Sequence, residues 1–285
     1  MNKSEVLIVG INNFLGRAIF ELVREDFNIT GIFNANNENI PEGIEVLQID
    51  SISNLKGRPF KYIYLISSYV PGANRPEDDR KLLEVNILLP KKITSLFPDA
   101  RIIFCSSVSV YENRAGNDII SIEERPSPLS KYAISKFWGE QIIKEQDSFA
   151  ILRISSMYGA GMNKGTFLPK VIEKALKERQ ITLLGGGERM QNYVHVDDVA
   201  KIAVQAAAHE NNVILLAVSN HSYSNKEIAT AILELIPGIL SYTGLDNSRS
   251  NVYNNDFTHQ TLCGLEFKDI KEGLKELKEW IKKGY

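Results

Sequence analysis

The sequence predicts an α/β fold: a doubly wound parallel sheet with helices on both faces, joined to a smaller C-terminal α/β lobe. Three observations predict it. Short apolar runs alternate with segments of helical period up to Ile154. The first run ends at Gly10 and feeds a helix directly. Beyond Ile154 the rhythm breaks into glycine-marked loops, and one more strand-like run appears at Val213–Ala217. Parallel strands need crossover connections, and repeated strand–helix alternation supplies them.

The elements follow in order. Residues 6–9 are a buried strand, and Leu15, Ala18, Ile19, Leu22 and Val23 then share one helical face. Residues 29–33, 46–49 and 62–66 are strands. Residues 80–97 are helical, with Pro90, which lacks an N–H, expected to kink that helix or to leave one backbone acceptor unpaired. Residues 101–105 form a strand, 132–144 a helix and 149–152 a strand. A helix over 168–176 and a strand over 181–184 lead to the flexible run Gly185-Gly186-Gly187. Asp197 is expected to cap the helix carrying Val199, Ala203 and Ala207. Ser224 and Glu227 have capping-box spacing for a helix to about residue 235, and a Lys/Glu-rich helix ends the chain. Residues 1–160 plus 193–220 are expected to form one domain, and 161–192 plus 221–285 a second lobe.

Composition narrows the function classes. The 285 residues are 44% hydrophobic and 24% charged, which fits an ordered globular chain and excludes a mainly disordered one. A net charge of -2 gives no electrostatic case for nucleic acid or an anionic membrane as a partner. No apolar run approaches the ~20 residues of a bilayer span, and no targeting segment is visible. The two cysteines, Cys105 and Cys263, are too few for a disulfide framework. A cytoplasmic location is therefore expected. The histidines show no metal-ligand spacing, so no metal is expected. His195, between Val194 and Val196, reads as structural.

The loop Gly10-Ile11-Asn12-Asn13-Phe14-Leu15-Gly16 lies between a strand and a helix, as a Rossmann-type dinucleotide loop requires. Gly10 permits the turn, Gly16 lets helix and strand pack closely, and the helix N-terminus offers N–H groups to a pyrophosphate. Asn13 stands at the usual middle glycine, and Asn is expected there for its tolerance of left-handed backbone angles. The second strand ends in Asn34, not in an acid that would bind the adenosine ribose and repel a 2′-phosphate. The cofactor is expected to be NADP or NAD, with Asp50 either hydrogen-bonding the adenine amino group or acting as a turn cap.

Tyr132 and Lys136 are one turn apart on a helix face. A nearby ammonium lowers a phenol pKa, giving a proton donor and acceptor for carbinol–carbonyl conversion. Lys136 is also placed to hold the nicotinamide ribose. Ser107 leaves a parallel strand at its carboxyl end, where open α/β sheets bind ligands, and can donate to the substrate oxygen.

Phosphate loop, serine strand end and Tyr-x-x-x-Lys helix, in that order, resemble the extended short-chain dehydrogenase/reductase family, over nearly the whole chain. Asp50 resembles its adenine-contacting acid, Tyr64-Leu65-Ile66-Ser67 its fourth-strand motif, and Asn86 the asparagine of the following helix. Arg153 to Gly159 is similar to Arg-x-x-Asn-x-Tyr-Gly, with Ser156 for the Asn. Residues 192–200 resemble its Asp-Phe-Val-His-Val-Asp-Asp-Val-Ala stretch, and Asp256, Leu265 and Gly273-Leu274 its C-terminal signature. The resemblance implies catalysis by Ser107, Tyr132 and Lys136, and cofactor contacts from residues 10 and 12–16 and from Asn34, Asp50, Leu65 and Ser67. It implies a nucleotide-sugar substrate, contacted by Ser109, Ser156, Phe167, Gln191 and Arg249. It also implies a homodimer packed through the 80–97 and 131–147 helices.

Within that family, 4,6-dehydratases carry Asp-Glu after the catalytic threonine, whereas Val108-Ser109 follow Ser107 here, so dehydration is disfavoured. A 4-ketoreductase is favoured by the short 33–46 connection and by Asn34, which loosens the grip on the cofactor. A 4-epimerase is the alternative, supported by Tyr111, Ser107 and Phe167-Leu168-Pro169. A non-catalytic NAD(P) sensor is the second alternative, disfavoured by the intact Tyr–Lys pair. Gln191 stands where the family often has an arginine for the diphosphate, and Arg189 reads as a surface residue.

Overall fold

The computed structural model describes residues 3–34, 36–72, 75–114 and 119–284. In chain order they form β1 (Glu5–Val9), α1 (Phe14–Val23), β2 (Asn28–Phe33), β3 (Glu45–Gln48), β4 (Phe60–Leu65), α2 (Asp79–Leu83), α3 (Leu89–Leu96), β5 (Arg101–Ser107), α4 (Lys131–Ile143), β6 (Phe149–Ile154) and β7 (Ser156–Tyr158). There follow α5 (Phe167–Glu178), β8 (Gln180–Leu184), β9 (Met190–His195), α6 (Val196–Ala208), β10 (Val213–Ala217), β11 (Ser222–Ser224), α7 (Asn225–Leu235), β12 (Ile239–Thr243), α8 (Asp256–Thr261) and α9 (Ile270–Lys282).

Seven strands make one parallel sheet in the order β10-β6-β5-β4-β1-β2-β3. This is the doubly wound arrangement expected. Strand period two divides its core. Val6 and Ile8 of β1 join the cluster that holds Leu15 and Ile19 of α1 and Val199 and Ala203 of α6. Leu7 and Val9 join the opposite cluster, with Ile93 of α3 and Ile143 of α4. All four β1 side chains are fully buried, which is why the run reads as continuously apolar rather than alternating.

Val213–Ala217 closes one edge, in register with β6 from Val213↔Ala150 to Ala217↔Ile154. A separate core gathers Leu168, Ile172 and Ala175 of α5, Ile228 and Ile232 of α7, and Leu274, Leu277 and Ile281 of α9. Between β2 and β3, the described residues carry no helix.

Two local expectations are corrected. The helix expected over 80–97 is present but changes its winding: Glu84–Leu88 is π-wound, Leu88 keeps helical angles into α3, and Pro90 falls in the turn that follows. Asn86, within the π-wound turn, is buried at 1% exposure. The cap of α6 is His195, whose Nδ1 accepts the Asp197 N–H at 3.2 Å, with Asp197 in the first turn. Asp197 instead pairs with Lys268, whose ammonium lies 2.9 Å from it and 2.8 Å from Glu276.

Candidate active site

The glycine loop is shaped by its lack of side chains. Gly10 has φ +102°, and a Cβ there would meet Asn13 Nδ2 at 2.8 Å and the Ser67 nitrogen at 3.0 Å. A Cβ on Gly16 would lie 2.2 Å from the Gly10 carbonyl oxygen. Asn13 does not adopt left-handed angles, contrary to expectation. Its backbone is extended, and its carboxamide oxygen caps α1 by accepting the Gly16 N–H at 2.7 Å. Among the described residues, the Phe14 and Leu15 N–H groups at that helix end have no acceptor. The loop therefore fits a dinucleotide diphosphate: free amides at a helix N-terminus, beside a surface where added Cβ atoms would intrude.

Catalytic candidates converge at the carboxyl ends of β4 and β5. Ser107, the last residue of β5, accepts the Ser109 N–H at 3.1 Å. Ser130 caps α4 by accepting the Ala133 N–H, which starts the helix so that Tyr132 and Lys136 face the strand ends. The Tyr132 side chain lies against Ser107 and Ser68, whose hydroxyls favour its ionised form. Lys136 is 1% exposed, donates to Ser68 Oγ at 3.4 Å and places its ammonium 4.4 Å from the Phe104 ring centre.

The expectation that Lys136 lowers the Tyr132 pKa is corrected. Burial raises the Tyr132 pKa above its ordinary value, opposed by the Ser107 and Ser68 hydroxyls. Burial also pulls the Lys136 pKa down to about 8, opposed by Cys105 and Glu140. The two groups are joined through Ser68, which sequence reasoning missed. Its signal was position: it follows β4 at the carboxyl end of the sheet. Asn86 holds it there, accepting from Ser68 Oγ at 3.2 Å and from the Tyr69 N–H at 2.8 Å while donating to Ser135 Oγ at 2.9 Å.

Behind α4 lies a fully buried ionic network. Glu140 accepts two hydrogen bonds from Arg153, at 3.0 and 2.8 Å, and a third from Ser106 Oγ at 2.6 Å. Arg153 also donates to the Tyr111 hydroxyl. Tyr111 is thus engaged in the interior, 2% exposed, rather than offered to a substrate.

A polar cleft of about 190 Å³ opens beside Ser107, lined by Ser109, Ser156, Arg189, Gln191, Asn192 and Tyr253 among others. Ser109, Ser156 and Gln191 thus sit where the sequence placed a substrate. The two arginines are placed otherwise than the sequence suggested. Arg189 lines the cleft. Arg249 instead donates to the Glu112 and Arg114 carbonyls at 3.2 and 2.9 Å, tying that loop to the C-terminal lobe. Phe167 starts α5 and packs on the second core, outside the residues lining the cleft. Leu15 and Leu65 are each 1% exposed in the core, so only their backbones face the loop side. Asn12 donates to the Asn36 carbonyl at 2.7 Å, tying the glycine loop to the β2–β3 connection. Asn34 is exposed just past β2, and Asp50 is exposed in the 3-10 turn Ile49–Leu55. Ser67 donates its N–H to the Val9 carbonyl at 2.9 Å, directly under Gly10.

A glycine-loop sheet with a Ser/Tyr/Lys grouping at its carboxyl edge defines a nucleotide-dependent oxidoreductase-type protein. Residues 6–217 match the model of the NAD dependent epimerase/dehydratase family, and the chain belongs to that family. It is 27% identical to a putative UDP-glucose 4-epimerase of Methanocaldococcus jannaschii, over 97% of this chain and 98% of that protein. Its fold is that of a UDP-N-acetylglucosamine 4-epimerase from Methanobrevibacter ruminantium, solved with UDP-N-acetylmuramic acid (TM-score 0.87, 19% identity, 100% of both chains). It is also that of a UDP-glucuronic acid 4-epimerase from Bacillus cereus, solved with UDP-glucuronic acid and NAD (TM-score 0.84, 17% identity, 99% of this chain and 100% of that one).

Proposed function

We propose that the protein is a nucleotide-sugar 4-epimerase using a tightly held NAD or NADP. The observation that carries the reading is the contact of Tyr132 with Ser107 and Ser68 at the mouth of a polar cleft, together with a relative named as a 4-epimerase over nearly the full length of both chains. NAD or NADP, when bound, would supply the hydride acceptor and donor for the sugar carbinol carbon, with the keto-sugar turned over in the cleft so that the hydride returns to its opposite face. Tyr132, in its ionised form, takes the hydroxyl proton at Oη as the C–H bond breaks and gives it back when the carbonyl is reduced. Ser107 Oγ holds the same substrate oxygen and steadies its developing charge. Lys136 holds the cofactor ribose and, through Ser68, orients the phenol. Residues 1–160 plus 193–220 hold the cofactor, and 161–192 plus 221–285 the sugar nucleotide.

A 4-ketoreductase is the second reading, favoured by Asn34 and the helix-free β2–β3 connection. Incubation with UDP-sugars and catalytic NAD separates them: epimer formation without net NADH is expected. Stoichiometric NADPH consumption with a 4-keto-sugar overturns the epimerase in favour of the reductase. Binding without turnover on either panel leaves only a sensor. Because Asn34 carries no charge, NADP is expected to bind at least as tightly as NAD. A tenfold preference for NAD, about 1.4 kcal/mol, overturns this.

The protein is read as cytoplasmic, with both cysteines free, Cys105 buried and Cys263 exposed. Among the described residues, no helix is long and apolar enough to cross a membrane. The homodimer reading is supported by apolar side chains left uncovered on the two helices concerned: Ile134 and Trp138 at 45% and 58% exposure, one turn apart on α4, and Leu83 and Leu88 at 46% and 47%. Sedimentation is expected to show a dimer that Trp138→Glu splits. A monomeric wild type at micromolar concentration would refute it.

A further inference from the structure

The phosphate loop carries a cation that its glycine pattern does not specify. Arg17 is the fourth residue of α1. Long side chains on a helix lean toward its N-terminus, and Arg17 does so, donating from Nη1 to the Asn12 carbonyl at 3.0 Å. That brings the guanidinium back to the loop end of the helix, which carries the unpaired Phe14 and Leu15 amides.

Room for it is made from the other side by Gly161. A Cβ on Gly161, which has φ +90°, would lie 2.5 Å from Arg17 Nη2 and 3.2 Å from the Phe14 Cβ. Asn12, whose carbonyl receives the arginine, is itself tied to the Asn36 carbonyl. The guanidinium is thus confined between the glycine loop and the turn after β7.

Among the described residues its charge has no acidic partner there. Burial alone lowers the Arg17 pKa, with no acidic group among the causes. A guanidinium has five donors, and the described contact uses one of them on a neutral carbonyl. Covering a cation without compensation is costly, and a planar guanidinium matches phosphate oxygens well. The Asn13 cap adds a second reason. Its carboxamide takes the Gly16 N–H, so this loop has one amide fewer for an anion.

We propose that Arg17 is the charged anchor for the diphosphate of the bound dinucleotide, and this rests on the cofactor reading above. The arginine reaches over the free amides and supplies the charge that the Asn13-capped loop lacks. Gly161 is required so that the turn after β7 can close over it.

Calorimetric titration of the full-length protein with NAD, NADP, ADP and adenosine tests the assignment. Arg17→Met and Arg17→Gln are compared with wild type, the second keeping a donor for the Asn12 carbonyl. Both variants are expected to weaken NAD and ADP by about tenfold or more, the scale of a charge-assisted hydrogen bond, with adenosine unchanged. Arg17→Lys should recover part of the loss, and the NADP-to-NAD ratio should stay at its wild-type value. Unchanged NAD and ADP binding in a folded variant overturns the proposal alone. Loss confined to NADP also overturns it, by assigning the charge to a 2′-phosphate. A wild-type chain that binds neither dinucleotide overturns the cofactor reading and this proposal with it.

Discussion

Tyr132→Phe is expected to lower kcat by roughly 10²–10⁴, the range for loss of one general acid–base group, while leaving cofactor affinity nearly unchanged. The substitution keeps the ring and removes only the oxygen that meets Ser107 and Ser68. No other described hydroxyl stands in its place with both contacts. Lys136→Met should damage both kcat and cofactor affinity if, as proposed, the lysine holds the ribose as well as Ser68. Ser107→Ala should cost less than Tyr132→Phe, since water can supply one lost donor. Single-turnover measurement of hydride transfer, with a separate cofactor titration, distinguishes these outcomes. Near wild-type turnover by Tyr132→Phe on the true substrate would remove Tyr132 from the chemistry and return the sensor reading.

What could be read in advance was set by short-range pattern and by the order of elements. The β1 run, its glycine loop and α1 form a contiguous stretch, so strand, turn and helix N-terminus were legible together. Tyr132 and Lys136 share a helix face by spacing alone, and Ser107 was placed by ending a parallel strand. The rest depended on contacts between distant segments. Ser68 became part of the site because Asn86, buried within a π-wound turn, holds the loop after β4. Arg249 is held away from the cleft because it finds carbonyls of residues 112 and 114, far away in sequence, while Arg189 lines it. Tyr111, in the 3-10 turn after β5, is held in the core by Arg153 of β6. Asn13 was expected to matter for its backbone and instead acts through its side chain, as Asn does at helix N-termini generally.

The largest loss of stability is expected from Glu140→Ala. Glu140 is 0% exposed and Arg153 3%, and the carboxylate accepts both hydrogen bonds of the pair and the Ser106 hydroxyl. Removing it leaves a buried guanidinium whose remaining described side-chain partner is the Tyr111 hydroxyl, and breaking one side of a buried pair costs about 3–5 kcal/mol. For a chain of this size that corresponds to a melting temperature lower by very roughly 10 °C. The pair need not be strongly stabilising in itself, because two charges have been taken out of water to form it. The double variant Glu140→Met with Arg153→Met should therefore recover much of the loss, since it leaves neither charge unpaired. Activity should not recover with it. Glu140 lies one turn beyond Lys136 on α4 and bonds Ser106, the neighbour of Ser107, so it ties the helix bearing Tyr132 to the strand bearing Ser107. Thermal melts of the two variants and wild type, beside their kcat values, check both halves. A Glu140→Ala protein melting within about a degree of wild type would show that this network does not hold the fold, and a double variant with full kcat that it does not position the site.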